Sequence, residues 1–215
     1  MTPASDNENH LRYSICVSGA AAGETVGESS ELAQALGVAI GKRGHIITTG
    51  ATVGLPYYAA VGAKSAGGTS IGFSPAVSLR EHLRKYRLPH DCFDFINFTG
   101  LNYVGRDLYL VQSSDAVITV GGRFGSLHEF TSALEARKPC GVLIGSGGTA
   151  DLIPQLMEIL EPPANDLVIY DEDPDRLVQR ITDVLNQKYA DIAADLQRFN
   201  ADWFLHPKPH HPHAG

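Results

Sequence analysis

A chain of 215 residues, 43% of them apolar, can bury one good core but is too short for two comfortable domains. Its net charge of −7 opposes nonspecific attraction to nucleic acid or anionic lipid. Three cysteines without metal-type spacing, Cys16, Cys92 and Cys140, together with a polar, acidic start and no apolar run of bilayer-spanning length, point to a reduced, cytoplasmic, non-membrane protein.

Residues 1–12 read as a flexible tail, and residues 13–18, Tyr-Ser-Ile-Cys-Val-Ser, as a short buried strand that runs into a Gly-Ala-Ala-Ala-Gly loop. From about Ser29 to Arg43 apolar residues recur at helical spacing, and Gly44 stops the pattern where a C-terminal cap belongs. A second strand follows at residues 45–49, a second glycine loop at 50–54 and a small-residue helix at 55–66; a third strand occupies 69–74. Residues 75–94 are charged and irregular, suiting either a surface helix or a flap above the strand ends. Another strand is expected at 94–98 and a helix at 103–114. Beyond the glycine turn at 121–125 come a helix at 126–137, a strand from 139, a helix at 150–160, a strand at 167–170 and a last helix opened by Asp173-Pro174. Strands and helices that alternate with short glycine punctuation predict βαβ units. The expected fold is α/β: a single three-layer αβα Rossmann-like domain over residues 13–190, with a doubly wound, mostly parallel sheet. Residues 191–215 read as an irregular extension with a His/Pro-rich tail.

Residues 115–129 run from an apolar β-branched strand through Gly121, Gly122 and Gly125 into a helix start that carries Glu129. Glycines there let the backbone approach a ligand closely, and the helix aims N–H groups and its positive dipole end at a phosphate. The plainer alternative is a capping box, in which Ser126 and Glu129 satisfy each other's backbone donors. In open parallel sheets ligands sit beyond the carboxyl ends of strands, where all three glycine loops fall. None is a dinucleotide fingerprint or a Walker loop, which favours a mononucleotide. No side-chain cluster suits a metal.

The stretch from Arg106 to Glu129, with Ser18-Gly19 and Gly50-Ala-Thr-Val-Gly-Leu, resembles the Lonely Guy family of nucleotide phosphoribohydrolases, long labelled lysine decarboxylases. It also resembles the wider Rossmann-like group that includes molybdenum cofactor carrier proteins. The family pattern, an arginine ahead of Ser-Asp-Ala and then Pro-Gly-Gly-x-Gly-Thr-x-x-Glu, fits without a gap from Arg106 through Ser114-Asp115-Ala116 to Glu129. Gly121 stands at the family's proline, Arg123 at its second glycine and Ser126 at its threonine, while Asp107 replaces the usual lysine. The resemblance implies a nucleotide or phosphate site at Ser18, Gly19, Gly50, Gly54, Gly121, Gly122, Arg123, Phe124, Gly125 and Ser126. Arg123 then supplies a bidentate phosphate partner in place of a close backbone approach. Two functions follow from it. One is binding of a small phosphorylated ligand, a nucleoside monophosphate or a molybdopterin-type molecule, with no cofactor required. The alternative is hydrolysis of a nucleoside 5′-monophosphate to free base and ribose 5-phosphate, with Arg106 and Glu129 as the catalytic pair. A homodimer or higher homo-oligomer is expected from the same resemblance.

Overall fold

The computed structural model describes residues 11–160 and 165–196. Seven short apolar segments form strands β1 (Ser14–Gly19), β2 (Ile46–Thr49), β3 (Thr69–Ser74), β4 (Phe95–Phe98), β5 (Ala116–Val120), β6 (Cys140–Leu143) and β7 (Val168–Asp171). They make one sheet in the order β4-β3-β2-β1-β5-β6-β7, and every neighbouring pair is parallel. Between the strands lie α1 (Glu24–Lys42), α2 (Leu55–Ser65), α3 (Leu79–Arg84), α4 (Asn102–Gln112), α5 (Phe124–Glu135) and α6 (Gly148–Leu160). Helix α7 (Pro174–Lys188) follows β7, and α8 (Ala190–Leu196) follows α7. The chain is a Rossmann-like α/β protein.

Both faces of the sheet are covered, which is why its central strands read as continuous apolar runs rather than alternating ones. On one face Cys16, Val117, Cys140 and Val142 pack against Leu110 and Val111 of α4, Phe130 and Ala133 of α5, and Ile153 and Met157 of α6. On the other face Ile118 approaches Ile181 of α7 across Gly141. Helices α1 and α2 approach each other there through glycines: a Cβ on Gly37 would stand 1.8 Å from the Ala59 carbonyl oxygen, and one on Gly62 would stand 2.1 Å from that of Gln34. Asp173 caps α7 by accepting the Arg176 N–H at 2.8 Å, ahead of Pro174 in the first turn. Cys16, Cys92 and Cys140 are free and buried. Among the described residues no helix is long and apolar enough to cross a membrane.

Three element expectations are corrected. Helix α1 begins at Glu24, five residues before Ser29, because its first turn has Val26 as its one apolar side chain and no buried residue, and so carries no apolar stripe to read. Helix α5 begins at Phe124, so Ser126 lies inside the helix and does not cap it. Residues 190–196, placed almost wholly in an irregular extension, form α8; the prolines that break regular structure come later in the chain. The irregular segment contains α3, whose N-cap Ser78 accepts the Glu81 N–H at 3.3 Å. Residues Arg12–Leu185 form one compact unit. A second unit, of which Leu11 and residues 186–196 are described, holds the end of α7 and α8. The His/Pro-rich tail lies outside the described residues.

Candidate functional site

Strands β1 and β5 are neighbours, yet the chain leaves β1 toward β2 on one side and leaves β5 toward β6 on the other. The loops that follow them therefore part, and a crevice opens at the carboxyl end of the sheet. It holds a cavity of about 380 Å³. One wall is the β1–α1 loop, Gly19 to Ala22, and the second is Gly50, Thr52 and Pro56 after β2. The third is the start of α5, Arg123 to Ser126, and the floor is Arg106, Asp107 and Glu129.

Arg106, one turn into α4, is almost fully buried. Its guanidinium abuts the β2 loop, where a Cβ on Gly50 would stand 1.6 Å from Nη1. Nη1 is 3.9 Å from Glu129 Oε1, and Nε is 3.3 Å from Asp107 Oδ1. Neither nitrogen finds an acceptor in hydrogen-bonding geometry among the described residues. A buried charged donor without a partner is costly, so a ligand that supplies an acceptor there is favoured.

Glu129 is fixed on the floor by Ser18 Oγ, which donates to Oε2. Burial pushes the Glu129 carboxyl up to about 7; Arg106 opposes the rise and the adjacent Asp107 reinforces it. Asp107 in turn accepts from His128 Nδ1 at 3.2 Å. Two buried carboxyls thus share one guanidinium.

The N-terminus of α5 faces the same cavity. Arg123 is its N-cap, with extended backbone and no capping side-chain hydrogen bond. The first N–H to find a helical acceptor is that of Leu127, which donates to the Arg123 carbonyl at 3.0 Å. The N–H groups of Phe124, Gly125 and Ser126 therefore depend on a partner from outside the helix. A Cβ on Gly125 would meet nothing within 4 Å, so no packing within the protein demands glycine there. Helix α6 differs: Thr149 and Ala150 donate to the Gly122 and Gly121 carbonyls at 3.1 and 2.9 Å, which docks that terminus to the β5 loop.

Of the residues expected at a ligand site, Gly19, Gly50, Arg106, Arg123, Phe124, Gly125, Ser126 and Glu129 come together on the cavity wall. Ser18 stands behind Glu129 as its hydrogen-bond donor. Gly54, Gly121 and Gly122 do not line the cavity, and all three have positive φ. Gly54 lets α2 dock on the first loop, with the Leu55 N–H reaching the Ala20 carbonyl at 2.9 Å. Gly121 and Gly122 form the joint that carries α6. Sequence reasoning missed Tyr103, which lines the cavity from α4. Its place three residues before Arg106, on the same helix face, was the available signal. Tyr57 and Tyr58 are absent from the cavity lining and meet each other edge to face with ring centroids 5.9 Å apart. Among the described residues no three His, Cys, Asp or Glu side chains gather as a metal site.

Comparison with known proteins extends over most of the chain. An uncharacterised protein of Archaeoglobus fulgidus is 34% identical over 117 residues, which cover 54% of this chain and 72% of that protein. The molybdenum cofactor binding protein of Rippkaea orientalis superposes with a TM-score of 0.67 at 30% identity, covering 81% of this chain and 98% of that one. The molybdenum cofactor carrier protein of Chlamydomonas reinhardtii gives 0.68 at 25% identity, with 82% and 99% covered. DNA processing protein A of Streptococcus pneumoniae, at 16% identity and a TM-score of 0.56 over 79% of this chain and 61% of its own, shares the fold alone. The model of the SLOG cluster4 family matches residues 12–178, and the chain belongs to that family.

Proposed function

We propose that the crevice binds a small phosphorylated ligand, a nucleoside monophosphate or a phosphorylated cofactor. Its phosphate sits on the first turn of α5 and is clamped by Arg123. The observation that carries this reading is the convergence of three features on one cavity: the α5 N-terminus with no side-chain cap, the exposed guanidinium-bearing Arg123, and the buried Arg106 donors that find no acceptor among the described residues. A helix N-terminus with adjacent guanidinium groups suits a dianion by charge and by hydrogen-bonding geometry. The likeness to two molybdenum cofactor proteins supports a pterin-type phosphate ester as one candidate. For such a ligand α5 and Arg123 would hold the phosphate. No cysteine lines the cavity, so this chain offers no thiolate to a molybdenum atom carried as cargo.

The burial of Arg106 beside Glu129 favours a second reading, hydrolysis of the N-glycosidic bond of a nucleotide. Water adds to the anomeric carbon as the base leaves with the bonding pair and takes up a proton. The sugar becomes cationic on the way, and an ionised Glu129 would stabilise it. With that carboxyl raised to about 7, the reading predicts a rate that climbs with pH through neutrality.

The two readings part in one assay. Pure protein is incubated with a panel of nucleoside monophosphates, thermal stabilisation and free base are measured, and Arg123→Ala and Glu129→Gln variants are run beside it. Stabilisation that Arg123→Ala removes, with no base released, supports binding alone. Base release that Glu129→Gln abolishes supports hydrolysis. Neither effect with any phosphate ester overturns both.

A further inference from the structure

The floor of the crevice carries more negative charge than a dianion site can use. Asp107 and Glu129 are both buried, and the cation between them is Arg106, 3.3 Å from Asp107 Oδ1 and 3.9 Å from Glu129 Oε1. With both carboxyls ionised, one negative charge is in excess directly beneath the cavity. Asp107 also lies within hydrogen-bonding reach of the Glu129 carboxyl. Ionised carboxylates only accept, so a bond between two of them needs a proton held on one.

The groups that face the pair come from three elements. From β1, Ser18 Oγ donates to Glu129 Oε2, and the Cys16 thiol stays protonated because burial holds it well above its ordinary value. From α4 comes Arg106. From α5 comes His128, whose Nδ1 donates to Asp107 Oδ2 at 3.2 Å. The His128 side chain is 37% exposed and absent from the cavity lining, so it steadies Asp107 from outside the site. Arg123, at the start of α5, lines the same cavity. We infer that Asp107 and Glu129 act as a carboxyl pair that takes up one proton when a dianion enters the crevice, which makes Asp107 a positioning residue that acts through Glu129. This rests on the phosphate site proposed above and adds its proton linkage. The proton comes from bulk solvent and stays on the pair; no other bond forms or breaks. Burial already sets the Glu129 carboxyl at about 7 in the free protein, and a dianion above it moves that value higher. Between those two values the bound form holds more protons than the free form, so affinity falls as pH rises through that window. Below it the pair already carries its proton and the dependence vanishes.

The test uses ribose 5-phosphate, a dianion above about pH 7 with no glycosidic base to lose. It is titrated calorimetrically into the full chain in buffers of unequal ionisation heat. The wild type should take up about half a proton or more per ligand at pH 7.5, and bind roughly fivefold more weakly at pH 8 than at pH 7. Asp107→Asn and Glu129→Gln each supply the uncharged partner that the proton would create. Both should bind without proton uptake and with the same affinity at pH 7 and pH 8, and at pH 8 each should match or exceed the wild type. If thermal denaturation shows that one of the two fails to fold, the other carries the same comparison. His128→Asn keeps a donor for Asp107 without a titrating ring and should retain the wild-type uptake. Ribose 5-phosphate bound without proton uptake overturns the inference and leaves the phosphate site standing, whereas no binding at any pH overturns both. Uptake that survives in the amide variants, or disappears in His128→Asn, puts the proton elsewhere and the inference falls.

Discussion

Two residues set the character of the floor. Gly50, expected as part of a phosphate loop, lines the cavity and also seats Arg106: any Cβ would collide with the guanidinium. Gly50→Ala should expel Arg106 from its seat and weaken ligand binding at least tenfold at near-normal stability, measurable by calorimetry beside thermal denaturation. Glu129 sets the pH behaviour. Its carboxyl titrates at about 7 in the fold against 4.5 ordinarily, so between those values the native protein holds a proton that the unfolded chain has released. Its contribution to stability is full below pH 4.5 and fades as pH rises through 7, by on the order of 3 kcal/mol. Urea titrations across that window should show the decline in the wild type and a flatter profile in Glu129→Gln. The pair Arg106 and Glu129 was legible because a motif spans them without a gap. Asp107 was legible only as a reversed charge, since its contacts with Arg106 and His128 arise when α4 and α5 pack.

At the scale of elements, the strands and helices followed from apolar runs and glycine stops, and the departures have local causes. The α5 start slipped by two residues because Ser126 and Glu129 match a capping box by spacing, whereas in the fold Ser126 is buried within the helix and Glu129 points to Ser18. The close contact of α1 with α2 was not legible at all, because a glycine in a helix looks like a weakness until its neighbour is placed. Gly37→Ala illustrates the reversal. In an exposed helix the change stabilises by roughly 1 kcal/mol; here the new methyl meets the Ala59 carbonyl oxygen at 1.8 Å. The helices must part, and destabilisation of about 1–3 kcal/mol is expected by chemical denaturation.

For the molecule as a whole, the order β4-β3-β2-β1-β5-β6-β7 determines where ligand chemistry can occur, because only between β1 and β5 do the following loops diverge. Alternation of strands and helices foretold a doubly wound sheet. It did not foretell which glycines would face the crevice and which would serve as joints, since both kinds sit in the same loops and differ only in what packs behind them. If the crevice is the ligand site, binding should stabilise the whole cooperative unit by mass action, by about 2.7 kcal/mol at a hundredfold excess over Kd. Arg123→Ala should lose most of that gain, as read from melting curves at increasing ligand. The most direct measurement is a crystal structure of the protein soaked in adenosine 5′-monophosphate. The account predicts the phosphate on the first-turn N–H groups of α5 with Arg123 folded over it, and an acceptor of the ligand within hydrogen-bonding distance of Arg106. Nucleotide bound elsewhere, or a crevice left without it at saturating concentration, would contradict the account.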